Sequence, residues 1–262
     1  MYNFDFVRPA SVADAVKALG DDEAQALGGG QTLIPTLRAR LASPSRLVSL
    51  GGIADMKGIA HRGGSLVIGG GTTHATVAAE AGTQYPALAH LASMIGDPAV
   101  RNRGTIGGSL ANNDPSACYP AAALGSGATI VTNAREIAAD DYFQGMFTTA
   151  LEPGEIITEV RFPVPEKASY QKFIQPASRF ALVGVFLAKF PDGVRVAVTG
   201  ASEEGVFRWS EAEEALNKEF RGDALMDLKV APENMIGDLH GTKEYRAHLV
   251  GVMTKRAIAA AA

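Results

Sequence analysis

Glycine clusters fall where strand-like sequence gives way to helix-like sequence, and they narrow the folds open to this chain. Leu27-Gly28-Gly29-Gly30-Gln31-Thr32-Leu33-Ile34-Pro35 sets three glycines between a strand expected over 24–27 and a helix expected over 32–40. Without Cβ atoms, such a loop brings bare backbone N–H groups and a helix N-terminus close to an anion such as a diphosphate. A plain turn between the two elements meets the same pattern. The spacing is not a Rossmann fingerprint, because the third glycine counted from Gly28 falls at Leu33. No Gly-Lys-Ser/Thr follows, which also removes the phosphate-binding P-loop. Gly69-Gly70-Gly71-Thr72-Thr73-His74 fails both tests and reads as a strand end.

A richer segment is Arg101-Asn102-Arg103-Gly104-Thr105-Ile106-Gly107-Gly108-Ser109-Leu110-Ala111-Asn112-Asn113-Asp114-Pro115. It combines glycines with amides, a hydroxyl and a carboxylate, the groups that bind ribose and phosphate oxygens. The alternative is an Asn/Asp turn bonded to itself. Together with the Gly28 loop it can clasp one long anionic dinucleotide. Arg101 and Arg103 read as solvated or interface charges.

Around these loops the pattern predicts α+β organisation. Ser11 caps a helix running to Leu19, with Asp14 at the capping-box position. Strands at 24–27 and 47–50 flank the helix after the Gly28 loop. Short strands at 65–68, 128–131 and 156–162 and helices at 76–80 and 87–95 follow, with an Ala-rich segment from Pro120. Pro163 and Pro165 end the strand over 156–162, so 163–167 is the expected boundary. Strands at 180–190 and 194–199, joined by Pro191-Asp192-Gly193, and helices at 210–217 and 245–262 predict a small antiparallel sheet with helices on one face.

Composition removes several functional classes. A net charge of -4 gives no broad cationic surface for nucleic acid. The start, Met1-Tyr2-Asn3-Phe4-Asp5, lacks a basic stretch followed by an apolar run, and no apolar segment is long enough to span a bilayer, so a cytoplasmic location is expected. Cys118 is the only cysteine, so this chain cannot supply an iron-sulfur cluster or an intrachain disulfide by itself. The five histidines are scattered, and no metal site is expected. The sequence shows no general base or nucleophile set, so no catalytic residue is assigned.

The two loops, in this order and separation, resemble the FAD-binding medium subunit of the xanthine dehydrogenase and aerobic carbon monoxide dehydrogenase family of molybdenum hydroxylases. The likeness runs over nearly the whole chain, through Phe4-Asp5-Phe6-Val7-Arg8-Pro9, the Gly28 loop, 101–120, Leu151-Glu152-Pro153-Gly154-Glu155-Ile156-Ile157, and Lys172-Phe173 to Val183. The resemblance implies a two-lobed FAD-binding domain of the vanillyl-alcohol oxidase (PCMH) type over 1–165, with lobes about 1–55 and 56–165. A small C-terminal α+β domain with an antiparallel sheet follows over 166–262.

By the same resemblance, Leu27 to Ile34 cradle the FAD diphosphate, and Thr105, Ile106, Gly107, Gly108 and Ser109 contact the diphosphate and ribityl chain. Ile95, Ile157 and Lys172 fall at cofactor positions, the last two near the isoalloxazine, where a cation favours the anionic reduced form. Asn112 and Asp114 resemble the carbon monoxide dehydrogenase branch. Cys118 stands where the xanthine dehydrogenase pattern often has an acidic residue, so it contacts FAD without tuning it as a carboxylate does. The implied partners are a large molybdenum-cofactor subunit and a small [2Fe-2S] subunit, in a dimer of heterotrimers. Electrons pass from the clusters through FAD to an external acceptor. Tyr142, Phe143, Met146 and Phe147 form an apolar group that either docks the iron-sulfur chain or lies in the core. Two other readings stay open, a self-contained flavin oxidoreductase of the same fold and a non-catalytic nucleotide-binding assembly module.

Overall fold

The computed structural model describes residues 1–20 and 23–261. The chain opens with a small parallel unit. β1 (Asp5–Val7), α1 (Val12–Leu19), β2 (Ala24–Leu27), α2 (Leu33–Arg38) and β3 (Arg46–Ser49) form a three-stranded sheet in the order β1-β3-β2. Ser11 caps α1 as the sequence predicts, its hydroxyl accepting from the Asp14 N–H at 3.1 Å. This lobe's core is thin: Ala15, Val48, Ile53 and Met56 pack together with Ile156 from a distant segment.

The second unit is an antiparallel sheet. β4 (Ile59–Arg62) and β5 (Ser65–Gly69) form a hairpin, followed by α3 (His74–Glu80), α4 (Pro86–Ser93), α5 (Pro98–Arg101), α6 (Ile106–Asn112) and α7 (Cys118–Ser126). β6 (Thr129–Thr132) and β7 (Glu136–Ala138) form a second hairpin. After α8 (Ala139–Tyr142) and the two-stranded β8 (Phe143–Gly145) and β9 (Thr148–Thr149), β10 (Ile157–Pro163) inserts at the centre, giving the order β4-β5-β10-β6-β7. β10 turns Val160 and Phe162 into the core and leaves Glu159 and Arg161 outside, where Arg161 pairs with Glu136 and Glu159. A bulge between Ile157 and Glu159 breaks its register against β6.

The chain ends in a four-stranded antiparallel sheet of β11 (Lys167–Ile174), β12 (Ala181–Phe190), β13 (Gly193–Ser202) and β14 (Gly205–Arg208), with α9 (Ser210–Lys218) and α10 (Lys243–Ala261) against one face. Every residue of α7 is buried, as befits a helix apolar on all sides, because it lies between this sheet and the antiparallel one. A β-carbon on Gly125 would lie 3.0 Å from the Phe186 ring. One core therefore runs from Ile130 and Val160 through α7 to Phe186 and Ala197. Arg246 of α10 is 1% exposed and donates to the carbonyls of Leu182 and Gly200 at 2.7 Å and to Asp238 at 2.8 Å, tying helix to sheet.

Several expectations change. Residues 105–109, read as a loop, are the capped first turn of α6, since Thr105 Oγ1 accepts from the Gly108 N–H at 3.1 Å. α7 starts at Cys118, ahead of Pro120, because proline is at ease in a helix's first turn. The apolar group splits: Tyr142 is fully buried, whereas Phe147 is 60% exposed. The expected end of the last helix at residue 262 lies outside the described residues. Among the described residues, no helix is long and apolar enough to cross a membrane.

Candidate functional site

A cleft of about 640 Å³ opens between the parallel unit and the antiparallel sheet. That volume lies within the roughly 300–1,000 Å³ typical of small-molecule sites. One wall is the Gly28 loop. Gly30, with φ +74, turns the chain into α2, and its carbonyl accepts from the Ile34 N–H at 3.1 Å. Among the described residues, the N–H groups of Gly29, Gly30, Gln31 and Thr32 have no protein acceptor. They form a row of donors at the edge of the cleft.

The adjoining wall is the start of α6, and its donors are engaged. Ile106 N–H bonds the Thr72 carbonyl at 3.1 Å, Gly107 N–H bonds the Gly70 carbonyl at 2.9 Å, and Gly108 N–H is taken by Thr105. The Gly28 loop meets the segment before α6 backbone to backbone, where a β-carbon on Gly29 would lie 2.0 Å from the Arg103 carbonyl oxygen, and α6 meets the Gly69 to Gly71 run, where one on Gly107 would lie 2.6 Å from the Gly70 oxygen. Glycine is required there by close approach. Beyond the first turn, Ser109, Asn112 and Asp114 face the cleft with polar side chains. Asp114 also accepts from the Ser116 N–H at 2.8 Å, and Asn113, at φ 43, ties the β8–β9 hairpin through Gly145 and Thr148.

Ile95, Leu151, Ile156 and Ile157 give the cleft apolar lining. Ile95 sits in a turn gripped by two cations. Arg101 donates to the Ile95 and Gly96 carbonyls at 3.1 and 3.0 Å, and Lys172 Nζ donates to the Met94 carbonyl at 3.0 Å. At the rim, the Arg135 guanidinium bonded to Glu155 holds that carboxyl down at about 2, with help from the Glu152 N–H and the Thr132 hydroxyl. His74, 5% exposed, lines the cleft against the Tyr119 ring. Burial first, and then the Arg101 charge, lower its pKa to about 4, so the imidazole is neutral at pH 7. A second groove of about 750 Å³, beside Leu19, Glu23 and Arg135, is larger but more open, and its guanidinium is already bonded to Glu155.

Of the residues singled out in the sequence, Leu27 to Leu33, Ile95, Thr105, Gly107, Gly108, Ser109, Asn112, Asp114 and Ile157 line the cleft together. Four do not. Ile34 faces a side pocket with Pro35, Arg38 and Arg103, because the turn of α2 carries it away. Ile106 is wholly buried in the core. Cys118 and Lys172 lie behind the wall, 5% and 9% exposed and 3.5 Å apart. The sequence reading passed over Gly70, Gly71 and His74, which do line the cleft. Gly69 ends β5 as expected, yet the run shares the strand–glycines–helix pattern of the Gly28 loop, and that likeness was the available signal.

A family described as the FAD binding domain in molybdopterin dehydrogenase matches residues 2–165. The carbon monoxide dehydrogenase medium chain of Afipia carboxidovorans is 36% identical over 276 residues, covering 98% of this chain and 96% of its own length. The nicotine 6-hydroxylase medium subunit of Paenarthrobacter nicotinovorans is 33% identical, covering 97% and 95%. Among solved structures, reconstituted CO dehydrogenase from Oligotropha carboxidovorans superposes with a TM-score of 0.90 at 33% identity, over 99% of this chain and 98% of that one. Quinoline 2-oxidoreductase from Pseudomonas putida 86 superposes with 0.89 at 29% identity, over 99% and 97%. The α+β architecture expected from the sequence is the one these chains share. On the family match and the full-length likeness, the chain belongs to the FAD-binding family of the molybdopterin dehydrogenases, flavoprotein components of molybdenum-containing oxidoreductases.

Proposed function

We propose that this chain is the medium subunit of a heteromeric molybdenum hydroxylase. In this reading, electrons from [2Fe-2S] clusters on a small partner subunit reach an external acceptor by way of FAD, and a large partner subunit carries the molybdenum cofactor and the substrate. The observation that carries the reading is the row of unpaired N–H groups from Gly29 to Thr32, facing a cleft of dinucleotide size. Those donors suit a diphosphate. The free side chains of Ser109 and Asn112 suit the hydroxyls of a ribityl chain, and Ile95, Ile156 and Ile157 suit a flat apolar ring. The near-complete coverage of relatives named as medium chains supports the partner assignment.

When bound, FAD supplies the redox chemistry, and the protein supplies binding, orientation and electrostatics. Gly29 to Thr32 hold the anionic middle of the cofactor, with Leu27, Gly28 and Leu33 completing that wall. Thr105, Gly107 and Gly108 serve as the backstop that sets the width of the cleft, and Asp114 borders its polar end. Ile34, Ile106, Cys118 and Lys172 support these walls from behind. His74, held neutral, adds no charge beside the diphosphate. The chain divides at 1–165, with lobes about 1–55 and 56–165, and 166–262. The complex is a cytoplasmic dimer of heterotrimers.

The test is a visible absorption spectrum of the chain purified alone, with identification of any yellow compound released by heating. One FAD per chain without iron-sulfur absorption, followed by co-purification with a molybdenum-cofactor chain and a [2Fe-2S] chain, is the expected result. A folded, colourless protein that ignores added FAD would overturn the reading.

A further inference from the structure

We propose that Cys118 and Lys172 form a redox-modification site at which peroxide joins the thiol sulfur to the amine nitrogen through one bridging oxygen. Lys172 Nζ lies 3.5 Å from Cys118 Sγ, and both side chains are more than nine-tenths buried. Among the described residues, Lys172 pairs with no carboxylate, and its other bond goes to the Met94 carbonyl. The Lys172 amine donates to the Cys118 sulfur, so the two atoms to be joined are already in contact before any oxidant arrives.

A third group faces the pair. The Tyr170 hydroxyl is buried with no hydrogen-bond partner. Burial, and after it the adjacent Cys118 sulfur, push the phenol well above its usual range, so it stays a donor. An oxygen added at the sulfur gives this donor the acceptor it lacks. A bridging oxygen also spans more of the 3.5 Å gap than a direct sulfur-nitrogen bond would, so it asks less of the close-packed surroundings. Ala117 and Ile95, next in sequence to Cys118 and Met94, line the cleft, which places the buried pair directly behind that wall.

The chemistry balances with hydrogen peroxide as oxidant. One peroxide converts the S–H to S–OH, its O–O bond breaking and one water leaving. Lys172 gives its extra proton to solvent and forms an N–O bond to the sulfenic oxygen. A second peroxide takes the two electrons and the two displaced protons and leaves as two waters. The bridged nitrogen carries no positive charge, so oxidation removes a cation from behind the Ile95 turn. The proposal does not rest on the FAD reading, because peroxide can be added directly.

The experiment is intact-mass analysis and tryptic mapping of the full chain after graded peroxide treatment. The expected product gains one oxygen and loses two hydrogens, resists trypsin after Lys172, links the Cys118 and Lys172 peptides, and reverts with dithiothreitol. Cys118→Ser and Lys172→Arg, checked for folding by circular dichroism, should each abolish it. Gain of whole oxygens on Cys118 with normal cleavage after Lys172, loss of two hydrogens alone, or no change in mass would each overturn the proposal. The wild-type peptide map decides the matter even if a variant fails to fold.

Discussion

Gly29→Ala tests the closeness of the two loops. The new β-carbon would lie 2.0 Å from the Arg103 carbonyl oxygen and 2.6 Å from the Gly104 Cα, about 1.4 Å short of the 3.4 Å at which ordinary contact begins. Both obstacles are backbone, so the loops must part. Overpacking of this kind costs about 1–3 kcal/mol. A shift of about 1 Å or more also carries N–H donors out of hydrogen-bonding range of a fixed anion. Each charge-assisted bond contributes about 1.5–3 kcal/mol, so losing one or two lowers FAD affinity by roughly tenfold to a thousandfold or more. The assay is titration of the apoprotein with FAD, followed by flavin fluorescence, alongside the thermal midpoint. Gly51→Ala is the control, because it lines the same cleft and its nearest neighbour, Ser49 Oγ, is 3.8 Å from the added carbon. Equal affinities for the two variants would refute the argument that close backbone approach, rather than any change at the cleft, makes Gly29 necessary.

Gly107→Ala gains helix propensity but sets its β-carbon 2.6 Å from the Gly70 oxygen, so the net effect is a loss of about 1–3 kcal/mol, read as a lower urea midpoint, and a lower FAD content. His74 has a folded pKa of about 4 against 6.5 unfolded, so the unfolded state binds more protons between those values. Stability is full above pH 6.5 and falls as the pH drops toward 4, by roughly 3 kcal/mol for this group. Urea midpoints of His74→Asn should show a shallower decline than wild type over that range, and parallel curves would contradict the assignment. Arg246→Met leaves the Leu182 and Gly200 carbonyls without their buried donor and should destabilise the chain by about 3–5 kcal/mol in urea unfolding, with α10 losing amide-exchange protection first.

Local chemistry was legible in the sequence. Ser11 and Asp14 fix the start of α1, Gly28 to Gly30 mark a loop between strand and helix, and Pro191-Asp192-Gly193 joins β12 to β13; each acts through neighbours a few residues away. What a side chain faces was legible only in part. Ile34 and Ile106 sit inside the two motifs yet point away from the cleft, because a helix turns successive residues to different sides. Gly70, Gly71 and His74 enter the cleft because the Gly107 N–H meets the Gly70 carbonyl and the His74 N–H meets the Gly104 carbonyl, contacts between segments about thirty residues apart. Lys172 and Cys118 stand 54 residues apart in sequence, and only the packing of α4 on β11 and of α7 on the neighbouring β12 makes them neighbours. By itself the sequence determined the cap of α1, the turns at Gly28 to Gly30 and Pro191-Asp192-Gly193, and the family. The tertiary structure decided which donors stay free and which glycines must be glycine, because both depend on what another part of the chain brings within 3 Å.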